Sequence, residues 1–279
     1  MDNILRMLSP VQLVVDLGSG GGSFNYRNYR CRIVGIDINL DRGHLYRDGN
    51  RVCYVQSEAT ELPLATNSVD AFICNHIFEH LPKYRRALAE VDRVLKPTGM
   101  LWIAIPDGRS LNDAIYRYIF EGGGHVNRFS RQQVVDEVER NTGLKVIQTN
   151  MLMTSFVYLK KPTAGQLVHF PERAKKLRYV PLWLNKVTLI LLNTMLRIVD
   201  KLFDSRIGQY GWGFIFARQP TELDSLPSYF NVCWNCGSGQ DAQYLRTLGR
   251  IRTVLGVKIF SCPCCHVQSF FFKPPPGFS

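Results

Sequence analysis

Residues 14–23 read VVDLGSGGGS, and this stretch limits the fold more than any other in the chain. Val14 and Val15 are β-branched and favour an extended, packed backbone. An acid, Asp16, follows at once, and then four glycines fall within positions 18–22. A backbone so bare of side chains either turns very tightly or lets another group come very close to it. A buried strand that runs into such a turn starts a strand-helix unit of a parallel sheet.

The following hundred residues repeat the apolar half of this pattern. CRIVGIDI, RVCYVQSEA, VDAFICNH and GMLWIAIPD read as four more buried strands. YRRALAEVDRVLK places Ala87, Val91, Val94 and Leu95 on one helical face, and PTG stops it. RQQVVDEVERNTG reads as a capped helix, LKVIQTNMLM as a sixth strand and YGWGFIFARQ as a further one. Near-continuous apolar strands alternating with helices predict an α/β fold with a doubly wound, mostly parallel sheet. Hydrophobic residues make up 46% and charged residues 20%, the balance of a globular protein. No apolar run reads as long enough to cross a bilayer, and MDNILRMLSP lacks the apolar core of a signal peptide. The expected location is cytoplasmic.

The glycines do not fit the usual phosphate cradles. A dinucleotide fingerprint counted from Gly18 and Gly20 would need a third glycine where Ser23 stands, and no Lys-Ser/Thr pair follows for a P-loop. What stands there is Asp16, Gly18, Gly20 and Gly22, alternating with other residues. Asp37, nineteen residues beyond Gly18, ends the second strand, where an acid can take a ribose diol. An acid inside the loop repels pyrophosphate and suits a ligand bearing an ammonium group.

At VVDLGSGGG, IVGIDI, SEATELPLATNSVDAFICNHIFEHL and EVDRVLKPTGMLWIAIPD, the sequence resembles class I S-adenosylmethionine-dependent methyltransferases of the small-molecule branch. The landmarks keep that family's order and spacing over roughly residues 11–107. The resemblance implies a Rossmann-like fold with S-adenosylmethionine as cofactor. It implies that Asp16, Gly18, Ser19, Gly20 and Gly22 wrap the methionine part. Asp37, with Ile38 beside it, would take the ribose, and Glu58 and Ala59 would lie along the adenine. Asn75 and His76 would face the methyl end. The chain departs from the family at Glu58-Ala59, where an Asp-Ala pair is usual.

Methyl transfer from a sulfonium is a direct displacement, so a protein mainly aligns the acceptor and excludes water. A hydroxyl acceptor gains from a general base. The candidates are His76, His80 and His125, of which His80 and His125 are the expected catalytic pair; each also reads as a residue that shapes a pocket or orders a loop. The chain has neither an NPPY motif nor a catalytic Pro-Cys pair, which argues against the familiar nucleic-acid base methyltransferases.

Three of the eight cysteines, Cys31, Cys53 and Cys74, stand singly among apolar residues and read as core thiols. The tail holds Cys233-x2-Cys236 and Cys262-x2-Cys265, 25 residues apart. Two such knuckles can present four thiolates tetrahedrally to one zinc. Cys264 and His266 compete as ligands, but the spacing favours Cys265. Unligated thiols and a rubredoxin-like iron are the other readings. The tail resembles the zinc ribbon attached to many bacterial methyltransferases, although there the ribbon usually precedes the catalytic domain. The expected organisation is a methyltransferase domain over 1–220 with an insertion at about 161–208, then a linker and zinc ribbon over 221–279.

The basic character is confined to the middle. Residues 161–220 carry ten Lys or Arg against three Asp or Glu. Within 171–204 a cationic cluster leads into a long helix whose Lys186, Asn193, Arg197 and Asp200 form a narrow polar stripe. One reading packs this helix over the sheet or into a dimer; the other lays it on a membrane surface as a peripheral contact. The basic residues lack the interleaved exposed aromatics that nucleic-acid binding prefers. The expected acceptor is a sugar, glycan or lipid-linked small molecule. RNA or protein methylation guided by the ribbon, and a non-catalytic cofactor-binding scaffold, are the alternatives.

Overall fold

The apolar segments form strands β1 (Leu13–Leu17), β2 (Arg32–Asp37), β3 (Val52–Gln56), β4 (Val69–Asn75) and β5 (Leu95–Pro106). In the computed structural model the described residues are 1–40, 48–49, 51–154, 156–162, 170–219, 229–236 and 238–273. The chain divides into two units. The first comprises Met1–Ile105, Val126–Thr149 and Gly213–Ser225, and the second Pro106–His125, Asn150–Trp212 and Leu226–Ser279.

In the first unit the strand order is β3-β2-β1-β4-β5, followed by the parts of β7 (Gln209–Ala217) and β6 (Lys145–Met153) that belong to it. The pairs β1–β2, β1–β4, β2–β3 and β4–β5 are all parallel. Val14, Val15, Ile33, Ile36, Phe72 and Ile73 are buried, as expected of a parallel sheet covered on both faces. The helix Tyr84–Val94 buries Ala87, Leu88, Val91 and Val94, the predicted face plus Leu88. The helix Arg131–Asn141 begins with a capping box between Ser130 and Gln133. Between β1 and β2 there is only a three-residue turn of 3-10 helix, Tyr26–Asn28, in keeping with the poor helix formers there. β5 begins earlier than its apolar core, at Leu95 rather than Gly99, because Val69 pairs with Leu95 across an irregularity in register. Cys31 and Cys74 are buried as expected, but Cys53 is exposed, since β3 is an edge strand.

In the second unit Met151–Met153 of β6 pair in parallel with Tyr229–Asn231 of β8 (Tyr229–Val232), and β8 pairs antiparallel with β9 (Gly239–Asp241). A separate antiparallel sheet contains β10 (Ile251–Val254), β11 (Val257–Ser261) and β12 (Gln268–Phe270). The stretch between the cysteine pairs holds β9, β10 and β11 and one helix. Asp241 caps a short helix, Ala242–Thr247, by accepting from the Tyr244 N–H at 2.8 Å. The linker expected from residue 221 lies outside the described residues.

The helix Leu182–Phe203 overturns one expectation. By length and composition it is long and apolar enough to cross a membrane, because Lys186, Arg197, Asp200 and Lys201 interrupt it only toward its ends. Its polar stripe, moreover, faces inward. Asn185 and Asn193 are buried beside Leu189 and Leu196. Asn185 donates to the Leu159 carbonyl at 2.9 Å and accepts from the Lys161 N–H at 3.0 Å. Arg197 donates to the Phe271 carbonyl. Asp200 accepts from the N–H groups of Ile207 and Gly208 at 2.8 and 2.9 Å. Of the stripe named from the sequence, Lys186 alone is exposed.

Candidate cofactor site and cysteine cluster

The registers Leu17↔Ile36, Leu17↔Cys74 and Asp37↔Gln56 bring the carboxyl ends of four parallel strands to one edge. Chain order reverses there, β1 lying between β2 and β4, which is where open α/β sheets bind ligands. Every expected cofactor residue follows one of these strand ends or lies just within it. The loop after β1 is tied down by Gly18 and Ser19, whose N–H groups donate to the Ile36 carbonyl at 2.8 and 3.1 Å. Gly18 has φ +72°, and a Cβ there would stand 2.6 Å from Ile77 Cδ1. Gly20 has φ +49° but faces open space, with no atom within 4 Å of a Cβ placed on it. One glycine thus admits a neighbouring side chain, and the other presents bare, exposed backbone.

Asp16 is fully buried. Its Oδ2 accepts from the Ser23 N–H at 2.8 Å and the Tyr26 hydroxyl at 2.6 Å. Its Oδ1 is buried and has no hydrogen-bond partner among the described residues. Burial pushes the carboxyl up to about 6, and the bonds from Ser23 and Tyr26 offset this only in part. Asp37 accepts from the Gly20 N–H at 2.8 Å through Oδ2 and from the Asn39 N–H at 2.9 Å through Oδ1. Beside it Ile38 is exposed, an apolar surface left open at the strand edge. After β3, Glu58 accepts from the Thr60 hydroxyl at 3.2 Å and Ala59 is buried. After β4, His76 takes the left-handed conformation at φ +57°, uncommon for a residue with a Cβ. Its N–H donates to the Ala104 carbonyl at 2.9 Å, and its Nδ1 lies 3.2 Å from Oε1 of the buried Glu79. Asn75 ends β4, half-buried.

The two expected catalytic histidines are held differently. His80 closes the 3-10 turn Phe78–His80 in the first unit and is exposed. His125 belongs to the second unit, where its ring stacks on Tyr116 with centroids 4.8 Å apart. Its Nδ1 lies 3.4 Å from Asp113 Oδ1, and Arg117 binds Asp113 Oδ2 at 2.6 Å and the His125 carbonyl at 2.8 Å. Burial alone would raise the Asp113 pKa, but the bonds from His125 and Arg117 outweigh it and hold the carboxyl below its ordinary value. Sequence reasoning missed Tyr26, Asp113 and Tyr116. The only signal for Asp113 was its place in SLND, three residues after the capping Ser110, whose hydroxyl accepts from the Asp113 N–H.

Cys233, Cys236, Cys262 and Cys265 bring their four Sγ atoms within 4.8 Å of one another. Cys233 and Cys265 are 3.6 Å apart, and Cys236 and Cys262 are 3.7 Å apart. These gaps are far too long for disulfides. They match the edge of about 3.8 Å in a tetrahedron of Zn–S bonds about 2.3 Å long. The Cys264 N–H points at Cys262 Sγ at 3.4 Å, while the Cys264 thiol itself is exposed and lies 3.5 Å from the Ser238 hydroxyl. The donor set therefore suits zinc, with Cys265 rather than Cys264 as the fourth member.

A family profile described as "Methyltransferase domain" matches residues 15–103. That span carries every residue expected from the sequence to contact a cofactor. A demethylmenaquinone methyltransferase of Renibacterium salmoninarum is 32% identical over 101 residues, covering 34% of this chain and 41% of the relative. A malonyl-[acyl-carrier protein] O-methyltransferase of Methylococcus capsulatus is 28% identical over 148 residues, covering 50% of this chain and 54% of the relative. The chain thus spans about half or less of the length of these curated relatives. Among solved structures, one from Anabaena variabilis, described as a methyltransferase of antibiotic biosynthesis, aligns with a TM-score of 0.50 at 16% identity, covering 76% of this chain and 93% of that one. The fold is accordingly the Rossmann-like α/β fold of methyltransferases.

Proposed function

We propose that the chain transfers a methyl group from S-adenosylmethionine to a small acceptor of the sugar, glycan or lipid-linked class. The observation that carries the reading is Asp16: a buried, half-satisfied carboxylate inside a glycine turn at the strand edge where a second acid, Asp37, ends the neighbouring strand. When bound, S-adenosylmethionine supplies an electrophilic methyl on a sulfonium. Asp16 offers its orphaned oxygen to an ammonium, and the open space at Gly20 leaves room for the ligand. Asp37 meets ribose hydroxyls, and Ile38, Glu58 and Ala59 border the base. Asn75 and His76 stand toward the methyl. His125, whose Nδ1 lies 3.4 Å from Asp113 Oδ1, is the candidate general base for a hydroxyl acceptor. His80 is the second candidate for this task. Relatives named for quinone precursors and for a carrier-bound acyl group favour the lipid-linked or tethered end of the acceptor range.

Titration calorimetry with S-adenosylhomocysteine tests the reading. Binding is expected for the wild type, weakened at least tenfold in Asp37→Ala and lost in Gly20→Val, whose side chain would occupy the space left for the ligand and strain a φ of +49°. A folded wild type that binds nothing ends the proposal. Binding without labelled product from a cell extract would leave a cofactor-binding scaffold instead.

The four clustered thiols are proposed as a structural zinc site, closed by protein ligands and without an open position for chemistry.

A further inference from the structure

The helix Leu182–Phe203 has its polarity reversed relative to an ordinary surface helix. Asn185 and Asn193 are buried, and Arg197 and Asp200 bond to their own chain. Trp183, Val187, Leu191, Met195, Ile198 and Leu202 recur at spacings of three or four and lie outward. Leu191 is 58% exposed, Met195 63% and Leu202 69%, where an apolar helix face normally sits against a core. A contiguous exposed apolar stripe this long marks an interaction surface.

Charge and aromatic placement identify what covers it. From Pro171 to Phe203 the sequence carries Arg173, Lys175, Lys176, Arg178, Lys186, Arg197 and Lys201 against Glu172 and Asp200 alone. Two such faces brought together in a symmetric pair would oppose like charges. A negatively charged layer would attract them. Tyr179 and Trp183, both about 70% exposed, stand where the cationic turn meets the helix. Amphipathic rings of this kind favour the level of lipid head groups. A membrane-crossing pose would take Arg197 and Asp200 into hydrocarbon and break the bonds that dock the helix, which makes it the costly alternative.

We propose that the face formed by Trp183, Val187, Leu191, Met195, Ile198 and Leu202, with the cationic turn before it, is a docking surface for an anionic lipid bilayer, on which the helix lies in the plane of the interface. The surface does not depend on the methyl-transfer reading.

The test is sedimentation of the full-length protein with phosphatidylcholine vesicles, with and without one-third phosphatidylglycerol, at low and high salt. Binding is expected to the anionic vesicles, weaker by roughly fivefold for each of Lys176→Gln and Lys186→Gln, since a basic residue near such a surface contributes about 1 kcal/mol. Leu191→Glu with Ile198→Glu should abolish it. Both positions are exposed, and an unchanged melting temperature would confirm folding. Equal binding by that double variant, or none by the wild type, overturns the proposal. So does a concentration-dependent dimer that the double variant abolishes while vesicles have no effect; the face then belongs to a second copy. Release only by detergent, and not by salt or carbonate, would mean a spanning helix and would also overturn it.

Discussion

Burial pushes the Asp16 carboxyl from its ordinary 3.8 up to about 6, so the folded chain holds this proton more tightly than the unfolded chain. The consequence for stability is a penalty. It is absent below about pH 4, grows as pH rises through the interval, and is complete above about pH 6, where it amounts to about 3 kcal/mol. Asp16→Asn should therefore melt higher than the wild type at pH 7.5, with the gap closing by pH 4; a gap independent of pH would refute the assignment. The same variant should bind S-adenosylhomocysteine poorly at every pH, whereas wild-type affinity should rise through pH 6 as the carboxylate ionises to meet the ammonium. A residue that lowers stability in exchange for binding is what a ligand site requires. Tyr26 supports that residue. Tyr26→Phe removes a 2.6 Å donor to Asp16 and should cost about 1–3 kcal/mol, read by denaturant unfolding, because it leaves a buried carboxylate less satisfied. At His125 the expectation concerns turnover. His125→Gln should lower the rate at least a hundredfold while leaving cofactor affinity unchanged, and a rate within twofold would remove it from the chemistry.

At the scale of elements, β2 is a strand whose side chains also shape the neighbouring loop. A Cβ on Gly35 would lie 2.6 Å from the Tyr54 ring and 3.0 Å from the Ser19 hydroxyl, so the glycine lets the aromatic pack behind the loop. Gly35→Ala should destabilise by about 1–3 kcal/mol through overpacking and weaken cofactor binding through Ser19; a variant as stable as the wild type would show that Tyr54 simply moves away. Such elements were legible to different depths. The apolar runs located β1 to β7 because a doubly covered parallel strand has few polar positions. The positions of Asp16, Asp37, Glu58 and Asn75 at one edge followed from those runs and their order. Tyr26 was not legible, since it sits in an irregular turn that no periodicity marks. The orientation of Leu182–Phe203 escaped for another reason. Its pattern defines two faces, but only the acceptors at Leu159 and Phe271 and the donors at Lys161, Ile207 and Gly208 decide that the polar one turns inward.

At the scale of the whole molecule, the tail and the cofactor edge draw on different cores. The first unit buries its own strands, from Val14 and Val15 to Phe72 and Ile73. The tail has less of its own. Phe260, Phe270, Phe271 and Phe272 are buried, but its β10–β12 sheet is small, and sheets of that size rarely persist without a staple. Zinc held by four thiolates would be that staple, so its removal should be coupled to unfolding. The loss should also spread. Tyr229–Asn231 pair with Met151–Met153, Asn231 accepts from the Phe272 N–H at 2.6 Å, and Arg197 binds the Phe271 carbonyl. Hydrogen exchange after chelation should show lost protection over 229–272, over 151–153 and along 182–203, while 13–17, 32–37 and 69–75 stay protected and S-adenosylhomocysteine still binds. Cys265→Ser should reproduce the pattern and lose the metal, and Cys264→Ser should do neither. Elemental analysis finding neither zinc nor iron in gently purified protein would refute the site, and loss of metal from Cys264→Ser alone would move its fourth ligand.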